Sequence, residues 1–131
     1  MGGSLTSDPI EGGDDLNGLD YCYLTTVGRV SGDPHEIEIW FALHAGTVYL
    51  LSGGSYRSDW VRNLRVSADV TIRLGSETRA AVAREVTEPD EDALARRLLV
   101  EKYRPRYSGE LDEWSRTSLP IATGWGRGTP V

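Results

Sequence analysis

Hydrophobic and polar positions alternate from residue 21 onward, and the period is two before it turns helical. Residues 21–27 (YCYLTTV) combine aromatic and β-branched side chains and predict a strand. Residues 28–34 (GRVSGDP) carry dense turn chemistry. Residues 35–43 then alternate without interruption. Ile37, Ile39, Phe41 and Leu43 fall on one face, and Glu36, Glu38, Trp40 and Ala42 on the other. That period predicts one half-buried strand. Ala45 and Gly46 make a tight turn, and residues 47–52 (TVYLLS) return as the hairpin partner.

The pattern then changes. Residues 52–57 (SGGSYR) read as a loop, and Ser58 as the N-cap of a helix over residues 59–65 that sets Trp60 and Leu64 on one face. Residues 69–74 alternate again through Val70, Ile72 and Leu74, residues 75–77 turn, and residues 78–86 run back. Thr87 opens the sequence T-E-P-D, an N-cap followed by an acidic first turn. The helix it starts runs to residue 103, and Pro105 blocks its continuation. A short helix over residues 110–118 and a strand over residues 119–123 follow, and residues 124–131 (GWGRGTPV) read as a frayed tail.

These elements amount to five or six mostly antiparallel strands, with one helix after the third and two after the fifth. Short hairpins favour a meander or barrel over a doubly wound sheet, whose parallel strands need long crossovers. The predicted class is mainly β with α (α+β). The expected organisation is a loose arm over residues 1–20, one domain over 21–125 and a tail over 126–131.

Composition narrows the function. The 131 residues are 39% apolar and 26% charged, as in a globular domain. A net charge of −6 argues against non-specific nucleic-acid binding, which needs a basic surface. No apolar run approaches the roughly 18 residues of a membrane span, and the Gly- and Asp-rich start lacks the apolar core of a signal peptide. Cys22 is the sole cysteine, which rules out an intramolecular disulfide and a cysteine metal cluster and fits a cytoplasmic location. Lys102 is the only lysine, so the remaining positive charge is arginine, a planar group suited to phosphate and carboxylate.

Familiar catalytic motifs are missing. There is no GxGxxG after a strand, no GxxxxGK[ST] and no GxSxG elbow. His35 and His44 are nine positions apart on a strand pattern and face opposite sides, which disfavours a two-histidine metal site and a hydrolytic triad. His44 reads as a surface residue beside the hairpin turn. No catalytic side chain and no metal ligand is assigned.

Three features suit a phosphorylated, planar cofactor. The first is residues 52–60 (SGGSYRSDW): glycines let amides approach an anion, the following helix points its N-terminus at the loop, and Arg57 is placed to clamp a phosphate. An ordinary capped loop with a surface arginine explains the same residues equally well. The second is the face of Glu36, Glu38 and Trp40, which lines a cleft or subunit interface or is covered by a helix. The third is Tyr56, the one tyrosine inside the glycine loop; the other tyrosines read as core or boundary residues.

Residues 24–75 resemble the deazaflavin-dependent nitroreductase family, split-barrel proteins related to the pyridoxamine-phosphate oxidase and flavin reductase folds. The likeness rests on Thr25-Thr26-Val27-Gly28-Arg29-Val30-Ser31-Gly32, on Ser52-Gly53-Gly54, on Trp60-Val61-Arg62-Asn63-Leu64 and on Ala68-Asp69-Val70-Thr71. It implies a six-stranded antiparallel split β-barrel with peripheral helices, forming a homodimer. It also implies an enzyme that uses coenzyme F420 to pass a hydride to an activated alkene, quinone or nitro compound. The implied cofactor contacts are Ile37, Glu38 and Ile39, then Ser52, Gly53, Gly54, Arg57, Ser58, Trp60 and Asn63, with Trp40 and Tyr56 in the substrate pocket. An FMN-binding oxidoreductase and a non-catalytic ligand- or lipid-binding protein of the same fold are the alternatives. Arg57 stands where many relatives carry lysine, and Asp59 adds a repelling carboxylate unless it caps the helix.

Overall fold

A computed structural model describes residues 16–107 and 109–125. Seven antiparallel strands form one sheet that curls into a half-barrel, in the order β2-β1-β5-β6-β7-β4-β3. They are β1 (Cys22–Val27), β2 (Pro34–Ile39), β3 (Ala42–His44), β4 (Thr47–Ser52), β5 (Asp69–Leu74), β6 (Glu77–Glu85) and β7 (Leu119–Gly124). Helix α1 (Asp59–Val66) lies between β4 and β5; α2 (Pro89–Tyr103) and α3 (Asp112–Thr117) lie between β6 and β7. β6 joins the two halves of the sheet: Glu77 to Val82 pair with β5, and Ala83 to Glu85 with β7.

The seventh strand arises because the stretch read as one strand over residues 35–43 bends at Trp40 and Phe41. β2 pairs with β1 and β3 with β4, so the two pieces become opposite edges of the sheet. The alternation survives the bend. Ile37, Ile39, Phe41 and Leu43 all pack in one apolar cluster, inside the curl of the sheet with Leu24, Leu50, Ile72 and Leu64. Trp40 and Ala42 join a second cluster, where Tyr49, Leu51 and Ala122 meet Leu99 and Tyr103 of α2. β4 is therefore buried on both faces. The outer face of β1, β5 and β6 is mixed: the Arg73 guanidinium lies over the Tyr23 ring there, beside a row of smaller side chains. Thr25, Thr71 and Ala80 share a row there, and Val82 is 62% exposed.

Local chemistry explains the remaining boundaries. Ala45 and Gly46 have φ of 51° and 79°, the paired positive values of a type I′ hairpin turn. Glu88, not Thr87, caps α2, and its carboxylate accepts from the Glu91 N–H at 2.7 Å. Pro89 at the first helical position fixes the cap one residue later than the sequence pattern suggests. Trp125, expected in a frayed tail, is buried: its N–H donates to the Gly46 carbonyl at 2.8 Å, and the Arg79 guanidinium lies over its ring. The rest of that tail, residues 126–131, lies outside the described residues, as do residues 1–15 of the expected arm. The arm's last residues are tied in. Asn17 Oδ1 accepts from the Leu43 N–H at 2.7 Å, and the Asp20 carbonyl accepts from the Tyr103 hydroxyl at 2.7 Å. Among the described residues no helix is long and apolar enough to cross a membrane.

Lys102 gives the fold a pH dependence. Its Nζ donates to the Phe41 carbonyl at 2.9 Å and sits 3.6 Å from the centre of the Phe41 ring. Burial, reinforced by Arg106, lowers its pKa to about 7. The unfolded chain, where lysine titrates near 10.5, holds more protons above that value, so stability rises with pH from 7. The buried Cys22 thiol, pushed up from 9.0 to about 12, acts in the opposite sense above pH 9. The melting temperature is expected to climb between pH 7 and 9 and to flatten in Lys102→Met. An unchanged slope in the variant contradicts the assignment.

Candidate active site

Two cavities open along the exposed edge strand β2. The first, of about 450 Å³, forms where the turn after β1 meets the start of α1. Gly28, Arg29 and Ser31 line one wall, His35 and Ile37 of β2 another, and Asp59, Trp60 and Asn63 of α1 the third. Asn63 locks these walls together and is only 4% exposed. Its amide donates to Thr26 Oγ1 at 3.0 Å, and its Oδ1 accepts from the Arg29 main-chain N–H at 3.1 Å and from Arg29 Nη1 at 2.8 Å. Arg29 Nη2 lies 3.3 Å from Asp59 Oδ1, and Glu36 pairs with Arg73 at 3.6 Å. Each carboxylate on this cavity thus has an arginine partner.

The N-terminus of α1 reaches the same cavity uncapped. Ser58 makes no side-chain cap; its Oγ sits 2.7 Å from Ser52 Oγ instead. The first amides of the helix are left available to an anion, next to the Arg29 guanidinium. The Ser52 hydroxyl also donates to the Ser55 carbonyl at 3.0 Å, closing the loop. A Cβ on Gly54 would lie 2.5 Å from Ser58 Oγ, so glycine is required for that closure. A Cβ on Gly53 would meet only the Trp114 ring, at 3.5 Å.

Trp114 belongs to the second cavity, of about 480 Å³, which lies between the β2–β3 corner and α3. Glu38, Ile39 and Trp40 form one side, and Tyr107, Glu110 and Trp114 the other. The Trp40 indole stacks on Tyr103, with centroids 4.2 Å apart and planes 5° from parallel. Trp40 is therefore both covered by a helix and part of a cleft wall.

The sequence-predicted residues divide between these places. Ile37, Trp60 and Asn63 line the first cavity; Glu38, Ile39 and Trp40 line the second. Ser52, Gly54 and Ser58 build the loop between β4 and α1 and line neither, while Gly53 borders Trp114. Arg57 is exposed and lines neither cavity. Tyr56 points elsewhere: its hydroxyl donates to Glu85 at 3.2 Å, and Arg65 covers its ring. Sequence spacing did not single out Tyr107, Glu110 and Trp114, which carry no local motif. Among the described residues no group of three or more histidine, cysteine or acidic side chains is arranged to hold a metal ion.

A half-barrel with a groove along its edge strand places the chain in the split-barrel class. The model of the family described as F420H(2)-dependent quinone reductase matches residues 6–123. Solved structures similar to the chain include an F420-H2 dependent reductase, 21% identical over 80% of this chain and 93% of that one with a TM-score of 0.65. A conserved hypothetical protein from Mycobacterium tuberculosis is 22% identical over 96% and 91% with a TM-score of 0.67. A third, described as a domain-swapped dimer, is 21% identical over 80% and 79% with a TM-score of 0.65. No curated protein matches the chain. The chain belongs to the F420H(2)-dependent quinone reductase family, and is a deazaflavin-dependent oxidoreductase whose cofactor is coenzyme F420. The first cavity suits that cofactor: it has room for a planar ring, an uncapped helix N-terminus and a guanidinium for phosphate.

Proposed function

We propose that the chain reduces a small organic acceptor, an activated alkene, quinone or nitro compound, with the cofactor in the Arg29 cavity and the acceptor in the Trp40 cavity. The observation that carries this division is charge. The carboxylates on the first cavity, Asp59 and Glu36, are paired with arginines, whereas among the described residues Glu38 and Glu110 in the other cavity are not. An anionic cofactor belongs in the first environment and is repelled by the second. When bound, reduced F420 supplies the hydride. Arg29 and the first amides of α1 hold the phosphate, and Ile37 and Trp60 wall the ring. β2 is a sheet edge, so the main chain at Ile37, Glu38 and Ile39 offers it unpaired donors and acceptors. Gly53 borders the Trp114 ring without a side chain of its own, and Trp40 and Trp114 exclude water from the acceptor. Ser52, Gly54 and Ser58 position the start of α1, and Arg57 adds positive charge two residues before it. Tyr56 does not take part.

Titration with F420 and with FMN, followed by fluorescence, tests this reading. F420 is expected to bind and FMN to bind more weakly. Binding of FMN alone overturns it in favour of an FMN-dependent relative, and binding of neither in favour of a non-catalytic ligand- or lipid-binding protein. We also propose a homodimer that buries the face of Thr25, Thr71, Ala80 and Val82. It is supported by the exposure of Val27 and Val82 on that face and by the similar structure described as a domain-swapped dimer. Light scattering should give twice the 14.4 kDa chain mass; a monomer at micromolar concentration contradicts it. The lone buried thiol of Cys22 suits a cytoplasmic setting.

A further inference from the structure

The Trp40 cavity has an aromatic and electrostatic character that a neutral acceptor does not use. Tyr103 holds the Trp40 indole fixed by stacking. Tyr107 and Trp114 stand nearly perpendicular to that indole, at 79° and 87°, with centroids 5.4 and 5.5 Å away. Tyr107 and Trp114 thus pack edge-to-face with Trp40, and the three rings form one aromatic wall of the cavity, a surface that attracts a cation.

Two exposed carboxylates line the same cavity beside that aromatic wall. Glu38 is held by the Tyr23 hydroxyl at 2.6 Å, and Glu110 by the N–H groups of Asp112 and Glu113 at 3.1 and 3.4 Å. All these donors are neutral. Among the described residues neither carboxylate has an ion-pair partner, and no arginine or lysine lines the cavity. Both negative charges are therefore available to a ligand.

We propose that this cavity selects an aromatic organic cation, of the N-alkylated nitrogen-heterocycle class, as the hydride acceptor. The inference rests on the assignment of this cavity to the acceptor. Such an acceptor gains the hydride at a ring carbon: the new C–H bond takes the transferred electron pair, and the C=N⁺ π pair becomes the nitrogen lone pair. The reduced cofactor is oxidised by two electrons, and its second hydrogen leaves to water as a proton. The product is neutral, so Glu38, Glu110 and the ring faces lose their hold on it, which favours release after turnover.

The test compares N-methylquinolinium with quinoline at a pH where quinoline is neutral, by calorimetric titration of the protein with and without F420. N-methylquinolinium is expected to bind about tenfold tighter or better. That advantage is expected to shrink with added salt and to fall severalfold in Glu38→Gln combined with Glu110→Gln. Equal binding of the two compounds, or a preference that ignores salt in the wild type, overturns the proposal even if the double variant fails to fold. F420 titrated in parallel separates the two readings. Normal F420 binding with no cation preference sinks this inference alone, whereas loss of F420 binding sinks the cavity assignment beneath it.

Discussion

Tyr103→Ala should cost about 3–5 kcal/mol of folding stability, the range for deleting a large buried aromatic. Tyr103 is 2% exposed, at the end of α2, where three parts of the chain meet. Its hydroxyl accepts from the Phe41 N–H at 3.1 Å and donates to the Asp20 carbonyl. Its ring stacks on Trp40, and Lys102 beside it holds the Phe41 carbonyl. Truncation opens a cavity, orphans a buried N–H and frees the Trp40 indole. Tyr103→Phe keeps the ring and should lose only about 1–3 kcal/mol for the unsatisfied groups. Urea unfolding distinguishes the two. A loss for Tyr103→Ala no larger than that for Tyr103→Phe would show that the ring packing contributes little.

Arg29→Ala should weaken F420 binding by roughly 10- to 150-fold, the equivalent of a charge-assisted contact of about 1.5–3 kcal/mol. Arg29 also holds Asn63, so the fold has to be checked alongside. Its side chain is 29% exposed, and the main-chain bond to Asn63 survives truncation, so the domain should stay folded. Arg57→Ala examines the other clamp, and a loss confined to that variant would return the phosphate to the loop over residues 52–58. Arg84→Ala is the control. Its guanidinium is committed to Glu91 at 2.7–2.8 Å, away from both cavities, and it should leave affinity unchanged. That pair, with the Tyr49 hydroxyl, holds the Glu91 carboxyl down at about 2, so its stabilisation is present at neutral pH and is lost as pH falls from 4.5 toward 2.

The contrast between Arg57 and Arg29 shows how far the sequence reaches. Period-two alternation marked the strands because each has one face in the barrel, and it remained correct even across the bend at Trp40 and Phe41. The bend itself left no trace, since both pieces keep the same inward face. Glycines and a helix start marked, through local chemistry, the loop that carries the start of α1 to the proposed phosphate position. Which arginine stands there depends on the Thr26–Asn63 bond, which joins positions 37 apart and brings the turn after β1 onto α1. No local spacing encodes that contact. Trp114 was illegible for the same reason: it lies on a short helix whose packing against Trp40 comes entirely from the tertiary fold.

The most direct measurement is anaerobic reoxidation of reduced F420 by a quinone, read as the return of the oxidised cofactor's absorbance. Reoxidation should depend on both the protein and the quinone, and Arg29→Ala should raise the KM for reduced F420 far more than the KM for the quinone. Failure of the wild-type protein to reoxidise F420 while it turns over reduced FMN would contradict the account, as would an Arg29→Ala enzyme with an unchanged KM for the cofactor.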